Sequence, residues 1–79
     1  MKISVISPEA VLFEGDADSV IAPTYNGELG VLKGHAPMVT LLGKGVLRLG
    51  DGTKFNVQGG FMQVVNDVVR VVTEYASAA

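Results

Sequence analysis

Glycine and proline interrupt this chain so often that long helices have no room to form. Ten glycines and three prolines are spread through 79 residues. Between them lie short segments rich in Val, Ile and Leu: Ile3–Ser7, Val11–Phe13, Ser19–Ala22, Glu28–Leu32, Met38–Leu42, Val46–Leu49, Phe55–Val57, Phe61–Val65 and Val68–Glu74. Short strands at this spacing predict an all-β fold, a sandwich or barrel. No segment before residue 70 carries a period of 3.6. Only Tyr75–Ala79 has helix-friendly composition, and it is too short to hold a helix alone.

The length allows one domain and a marginal core. Surface scaling gives about 4,500 Å² folded against about 12,000 Å² unfolded, so roughly 60% is removed from water. There is no cysteine, which excludes a disulfide scaffold and a Cys-based zinc site. Hydrophobic residues make up 48% of the chain and charged residues 18%. Yet no apolar run approaches the roughly 20 residues of a transmembrane helix. Met1-Lys2-Ile3-Ser4 opens no apolar stretch of signal-peptide type. A net charge of −2 argues against nucleic acid as a partner. Such an apolar small domain suggests a surface that another protein covers.

Two hairpins can be registered from side-chain alternation. At Gly50-Asp51-Gly52 a two-residue Asp-Gly turn would mix apolar and polar residues on both faces. A three-residue loop with Gly52 left-handed instead gathers Leu47, Leu49, Phe55 and Val57 on one face. A one-residue slip inverts every side chain, so the pattern selects the longer loop. The second hairpin turns at Asn66-Asp67, residues that tolerate positive φ. It puts Met62, Val64, Val69 and Val71 on one face, and Phe61, Gln63, Val65, Val68, Arg70 and Val72 on the other. The first set reads as core. The second is covered either by the domain itself or by another protein.

Three groups of residues invite a chemical role, and each has a plainer reading. His35, the single histidine, sits in Lys33-Gly34-His35-Ala36-Pro37 without a local nucleophile or orienting group. A loop histidine bonded to backbone or facing a partner is the stronger reading. Glu14, Asp16 and Asp18 alternate along an extended segment. Spaced about 7 Å per step, they suit a solvated strand that resists edge pairing better than a cation site. Gly27-Glu28-Leu29-Gly30 lacks the third glycine, lysine and helix of a nucleotide loop. Asn26-Gly27 there reads as a turn, Gly30 as a point of close backbone approach, and Glu28 as a solvated or contact residue at the tip.

The run Gly27-Glu28-Leu29-Gly30-Val31-Leu32-Lys33-Gly34-His35-Ala36-Pro37-Met38-Val39-Thr40-Leu41-Leu42 closely resembles the "GELG … GHAP … T" segment of the ATP synthase ε-subunit family (δ in mitochondria). Ile3–Glu9 resembles that family's opening strand, and Phe13-Glu14-Gly15 its second. Gly59-Gly60-Phe61-Met62-Gln63-Val64 resembles a late strand in which Glu is usual where Gln63 stands. The resemblance implies a flattened antiparallel sandwich of about ten short strands over residues 1–75. Residues 76–79 would be a tail where the family's C-terminal helical domain begins, that domain being absent here. A naturally short subunit and an isolated N-terminal domain both fit this ending.

By the same resemblance the chain is a non-catalytic central-stalk rotor subunit with no cofactor or metal. Its partners would be the γ subunit and the polar loops of the c-ring, so that it meets the membrane only indirectly. Gly27, Glu28 and Gly30 become candidates for the c-ring contact. His35, Thr40 and the apolar residues between them, Met38 included, become candidates for the γ contact. To these the mixed hairpin face adds Phe61, Val65 and Val72. The implied location is peripheral, on the cytoplasmic face of a bacterial inner membrane, or the stromal or matrix side in an organelle. Neither ATP binding nor helix-mediated inhibition is expected of these residues. A stand-alone ligand-binding β-module is the alternative, and it would need a concave aromatic-lined pocket.

Overall fold

In the computed structural model, which describes residues Met1–Ala79, every expected segment is a strand and a tenth strand follows them. The first half contains β1 (Lys2–Ile6), β2 (Val11–Asp16), β3 (Ser19–Thr24), β4 (Gly27–Leu32) and β5 (Met38–Leu41). The second half contains β6 (Lys44–Leu49), β7 (Lys54–Gln58), β8 (Phe61–Val65), β9 (Val68–Val72) and β10 (Tyr75–Ala78). They form two five-stranded sheets, ordered β2-β1-β9-β8-β5 and β10-β7-β6-β3-β4. The result is an all-β sandwich measuring 27 × 25 × 20 Å. Its accessible surface of 4522 Å² is what a compact chain of this mass should expose. No helix is long and apolar enough to cross a membrane.

Both hairpin registers follow the alternation of side chains. Leu47 faces Phe55 and Arg48 faces Lys54 across a loop in which Gly52 has φ +95°. Met62 faces Val71 and Val64 faces Val69, with Asn66 at φ 50° and Asp67 at φ 64° in the turn. Left-handed backbone at two successive residues matches the twist of the strands it joins.

The inward residues of both sheets make one core. Ile3, Val5, Met62, Val64, Val69 and Val71 come from the first sheet, and Val20, Val31, Leu47, Leu49, Phe55 and Val57 from the second. Phe13 of β2 meets Phe55 of β7 edge to face, ring centroids 6.4 Å apart, and so joins the two layers. Each fully buried aliphatic side chain contributes about 1.5–3 kcal/mol of transfer free energy.

Three features depart from expectation. The sheets are not wholly antiparallel: β1 runs parallel to β9, with Ile3 opposite Val69 and Val5 opposite Val71. The long chain between those strands supplies the crossover a parallel pair requires. Tyr75–Ala78 is not helical but pairs with β7, from Tyr75 opposite Gln58 to Ala78 opposite Phe55. A segment too short to nucleate a helix gains hydrogen bonds from the otherwise open edge of β7, and small Ala76 packs against the core. The sandwich therefore extends past residue 75. Finally, Glu14 and Asp16 do project outward from edge strand β2, but Asp18 lies beyond its end, in the link to β3.

Pairing between β3 and β6 is limited to Val20–Leu49 and Ile21–Arg48. Pro23 has no N–H to continue it. The Pro23 carbonyl instead accepts from the Gly43 amide at 3.0 Å.

Candidate functional site

The outer side of the first sheet exposes several large apolar side chains at once. Register places Leu41, Phe61, Val72 and Ile6 side by side across β5, β8, β9 and β1. A second row runs Val39, Gln63, Arg70, Ser4 and Glu14, and a third holds Val65, Val68, Lys2 and Asp16. Much of this side is open: Val39 is 66% exposed, Leu41 63%, Val68 41%, Val65 38% and Phe61 36%, while Val72 and Ile6 are half-buried. Of the two explanations for the mixed hairpin face, full coverage by the domain itself is thereby removed.

Phe61, Val65 and Val72 do lie together on this face, as the alternation predicts. Met38 and Thr40 do not join them. They pair with Val64 and Met62, the buried row, and are half-buried facing inward. The outward residues of β5 are their neighbours Val39, which lies within the His35–Thr40 stretch, and Leu41, which lies just beyond it. The signal was the alternation of Met38–Leu41 itself, but with apolar residues on both faces it could not be phased without knowing the partner strand.

His35 lies in the loop between β4 and β5, whose backbone is held at two points. The His35 amide donates to the Leu32 carbonyl at 3.1 Å, and the Gly34 amide donates to Asp67 Oδ1 at 2.9 Å. Loop and β8–β9 turn therefore share one end of the sandwich, beside Val65 and Val68. The His35 ring nitrogen Nδ1 is 2.7 Å from the carbonyl of Ala36. That is the backbone-bonded loop histidine of the plainer reading.

The Gly27–Gly30 segment is on the other sheet and begins at the opposite end of β4. Thr24–Gly27 forms a turn in which Thr24 Oγ1 accepts from the Asn26 amide at 3.2 Å and Gly27 has φ +110°. Glu28 is not at the tip but inside β4, opposite Pro23. Nor is it simply solvated: its Oε2 accepts from Arg48 Nη2 at 2.8 Å, reaching across β3. Gly30 is also corrected. It faces solvent opposite Ile21, and a Cβ there would meet nothing within 4 Å.

The remaining acidic groups sit apart. Asp16, Asp18 and Asp51 border one shallow depression, and no three carboxylate or imidazole groups converge closely enough to hold a metal ion. Asp51 has a carboxyl held below its ordinary 3.8, chiefly by the hydrogen bond from the Thr53 amide. A depression of about 410 Å³ between β1 and β2 is lined by Lys2, Ile3, Ser4, Glu14, Gly15, Asp16 and Val68, with no aromatic ring. It lacks the lining that a ligand-binding module would show. What the arrangement offers is an apolar sheet face on one side and a polar, ion-paired edge strand on the other.

The family described as the ATP synthase delta/epsilon chain β-sandwich domain matches residues 1–79. The chain is 39% identical over 80 residues to the ATP synthase epsilon chain of Leptospira interrogans, covering 98% of this chain and 63% of that one. It is 43% identical over 81 residues to the epsilon chain of Desulforamulus reducens, covering 99% and 61%. The chain thus spans about three fifths of the length of these curated relatives. Its fold superposes with TM-score 0.88 and 26% identity on a chain of the Euglena gracilis mitochondrial ATP synthase, in an assembly with its c-ring, covering 96% of this chain and 51% of that one. A chain from the Tetrahymena thermophila mitochondrial ATP synthase central stalk and c-ring shares the fold at TM-score 0.83 and 14% identity, covering 98% and 65%. With the whole length matched and strands, turns and core in place, the chain belongs to the ATP synthase delta/epsilon family, as its β-sandwich domain.

Proposed function

We propose that this sandwich is a non-catalytic part of an ATP synthase rotor, attached to the γ subunit by its apolar sheet face and to the c-ring by one end. The observation that carries this reading is the exposure of Val39, Leu41, Phe61, Val65 and Val68 on one sheet face of a domain of this family. Large apolar side chains gathered on one exposed face of so small a domain mark a site that another protein covers. The γ contact comprises Phe61, Val65 and Val72 with Val39 and Leu41. His35 extends it at one end of the sandwich, while Met38 and Thr40 support it from beneath. The c-ring contact falls to Gly27, Glu28 and Gly30, and Glu28 keeps Oε1 free of any bond within the chain.

Two packed sheets make a stiff body, and a stiff body passes torque without absorbing it. Proton transport through the ring is thereby coupled to ATP synthesis at catalytic sites on other subunits. The domain itself needs neither a cofactor nor a spanning segment, and it is held at the membrane through protein contacts alone. The test is co-purification of the chain first with γ subunit and then with detergent-solubilised c-ring. Retention by both is expected; failure to bind γ would remove the reading.

A further inference from the structure

Arg70 stands at the middle of the apolar face with no counter-charge. It lies in β9 between Gln63 of β8 and Ser4 of β1, both neutral. Along its own strand the same-face neighbours are Val68 and Val72, and diagonally on β8 they are Phe61 and Val65. The nearest carboxylate in its row is Glu14, beyond Ser4 and two strand spacings away, about 10 Å. Lys2 and Asp16 occupy the adjoining row, where they face one another across β1 and β2. The chain's salt bridge, Arg48–Glu28, is on the opposite sheet. Arg70 is exposed and enters no ion pair.

A partner that covers Phe61, Val65 and Val72 must also cover this guanidinium. Removing an arginine from water beneath apolar groups is strongly unfavourable unless a carboxylate receives it. The planar fork of arginine matches a carboxylate with two parallel hydrogen bonds, which also fixes direction. Apolar contact by itself has no direction, so a flat valine-rich sheet could accept a partner in several registers. We infer that Arg70 is the specificity-determining residue of this face, and that the protein seated on it presents a carboxylate flanked on both sides by apolar side chains. This rests on the proposed seating of γ on the face, and names the charge that orients it.

The experiment measures binding of purified γ subunit from the same synthase to four forms of the chain: unaltered, Arg70→Met, Arg70→Glu, and a Phe61→Ser/Val65→Ser/Val72→Ser variant. Arg70 is exposed, so its variants should melt like the unaltered chain, which thermal unfolding checks. Truncating one member of a covered charge pair should weaken binding by about 30-fold or more, and Arg70→Glu should weaken it further. Changing one γ carboxylate to lysine should restore binding to Arg70→Glu, and that residue is the partner. If Arg70→Met binds as tightly as the unaltered chain while the triple serine variant does not bind, the role of Arg70 is overturned and the face remains the γ site. If all variants bind alike, or the unaltered chain does not bind, both fall together.

Discussion

Asp67 Oδ1 accepts the Gly34 amide at 2.9 Å and so ties the β8–β9 turn to the loop that carries His35. The same residue accepts the Lys2 amide at its carbonyl, 3.0 Å away, which anchors the start of β1. One turn residue thus holds together three pieces of chain at one end of the sandwich. Replacing Asp67 with glycine keeps the left-handed backbone, φ 64°, and removes the side-chain acceptor while easing the strain that a Cβ carries there. The lost bond, about 0.5–1.5 kcal/mol, is therefore partly offset in global stability. Hydrogen exchange at the Gly34 amide should rise well beyond the global change, whereas Asp67→Asn should leave it protected. Equal protection in all three proteins would show that the loop does not depend on this bond.

Thr73 is 1% exposed, and its hydroxyl lies 2.9 Å from the Tyr75 carbonyl, 3.0 Å from that of Gly59 and 3.3 Å from that of Gln58. These oxygens belong to the start of β10, to the end of β7 and to the β7–β8 turn. Valine has nearly the same shape but no proton to give. Thr73→Val should therefore cost about 0.5–1.5 kcal/mol in chemical denaturation, the worth of the one part-buried hydrogen bond that the hydroxyl proton makes. The loss should appear first as faster exchange in Tyr75–Ala78, the edge strand that the hydroxyl helps to seat.

Gly60 and Gly52 separate backbone strain from collision. Both have positive φ, +92° and +95°. A Cβ on Gly52 would meet nothing within 4 Å, whereas one on Gly60 would overlap the Val72 carbonyl and lie 2.7 Å from Thr73 Cα. Gly52→Ala should cost about 1–2 kcal/mol, the strain alone. Gly60→Ala should cost roughly 2–4 kcal/mol, since β8 and β9 must also part. Equal melting temperatures for the two variants would contradict this difference.

The features legible from sequence are those set by neighbours along the chain. The three-residue loop at Gly50–Gly52 and the Asn66-Asp67 turn follow from alternation, because each wrong register would bury Arg48 or Lys54, or expose Met62 and Val64. The membership of the two faces of β8 and β9 follows for the same reason, whereas the exposure of the outer one does not, because alternation names a face without naming what lies over it. What stayed hidden depends on strands far apart in the chain. Val39 and Leu41 face outward only because β5 pairs with β8 at Met38–Val64. Tyr75–Ala78 is a strand only because β7 leaves an edge open. Glu28 meets Arg48 only because β3 lies between their strands.

Asp51 should titrate below its ordinary 3.8, because its ionised form accepts the Thr53 amide at 2.9 Å within the β6–β7 loop. A carboxyl whose folded value is depressed adds stability above its unfolded value, and loses it as pH falls through the folded value. The contribution is therefore complete at neutral pH and disappears in acid, below 3.8. Carbon-detected NMR titration of the Asp51 carboxyl should give a midpoint below that value. In Asp51→Ala the acid-side loss of loop stability should be smaller than in the unaltered chain. A midpoint at or above 3.8 would show that the hydrogen bond does not favour the charged form.

The Arg48–Glu28 pair is exposed, with side-chain accessibilities of 42% and 59%, so its contribution to stability should be small. A double-mutant cycle using Arg48→Met and Glu28→Gln should give a coupling of about 0.2–1 kcal/mol, decreasing with added salt. Its larger effect is on geometry. Arg48 Nη2 draws the Glu28 carboxylate sideways over β3, and Arg48 Nε is left without a partner beneath it. If Glu28 serves the c-ring contact, Arg48→Met should change c-ring binding with little change in melting temperature. Glu28→Gln should weaken the contact directly, and the double variant should bind no worse than Glu28→Gln alone. That equality is the decisive comparison, since an arginine acting only by holding Glu28 has nothing left to hold once the carboxylate is gone. Further weakening in the double variant would mean that Arg48 touches the ring itself.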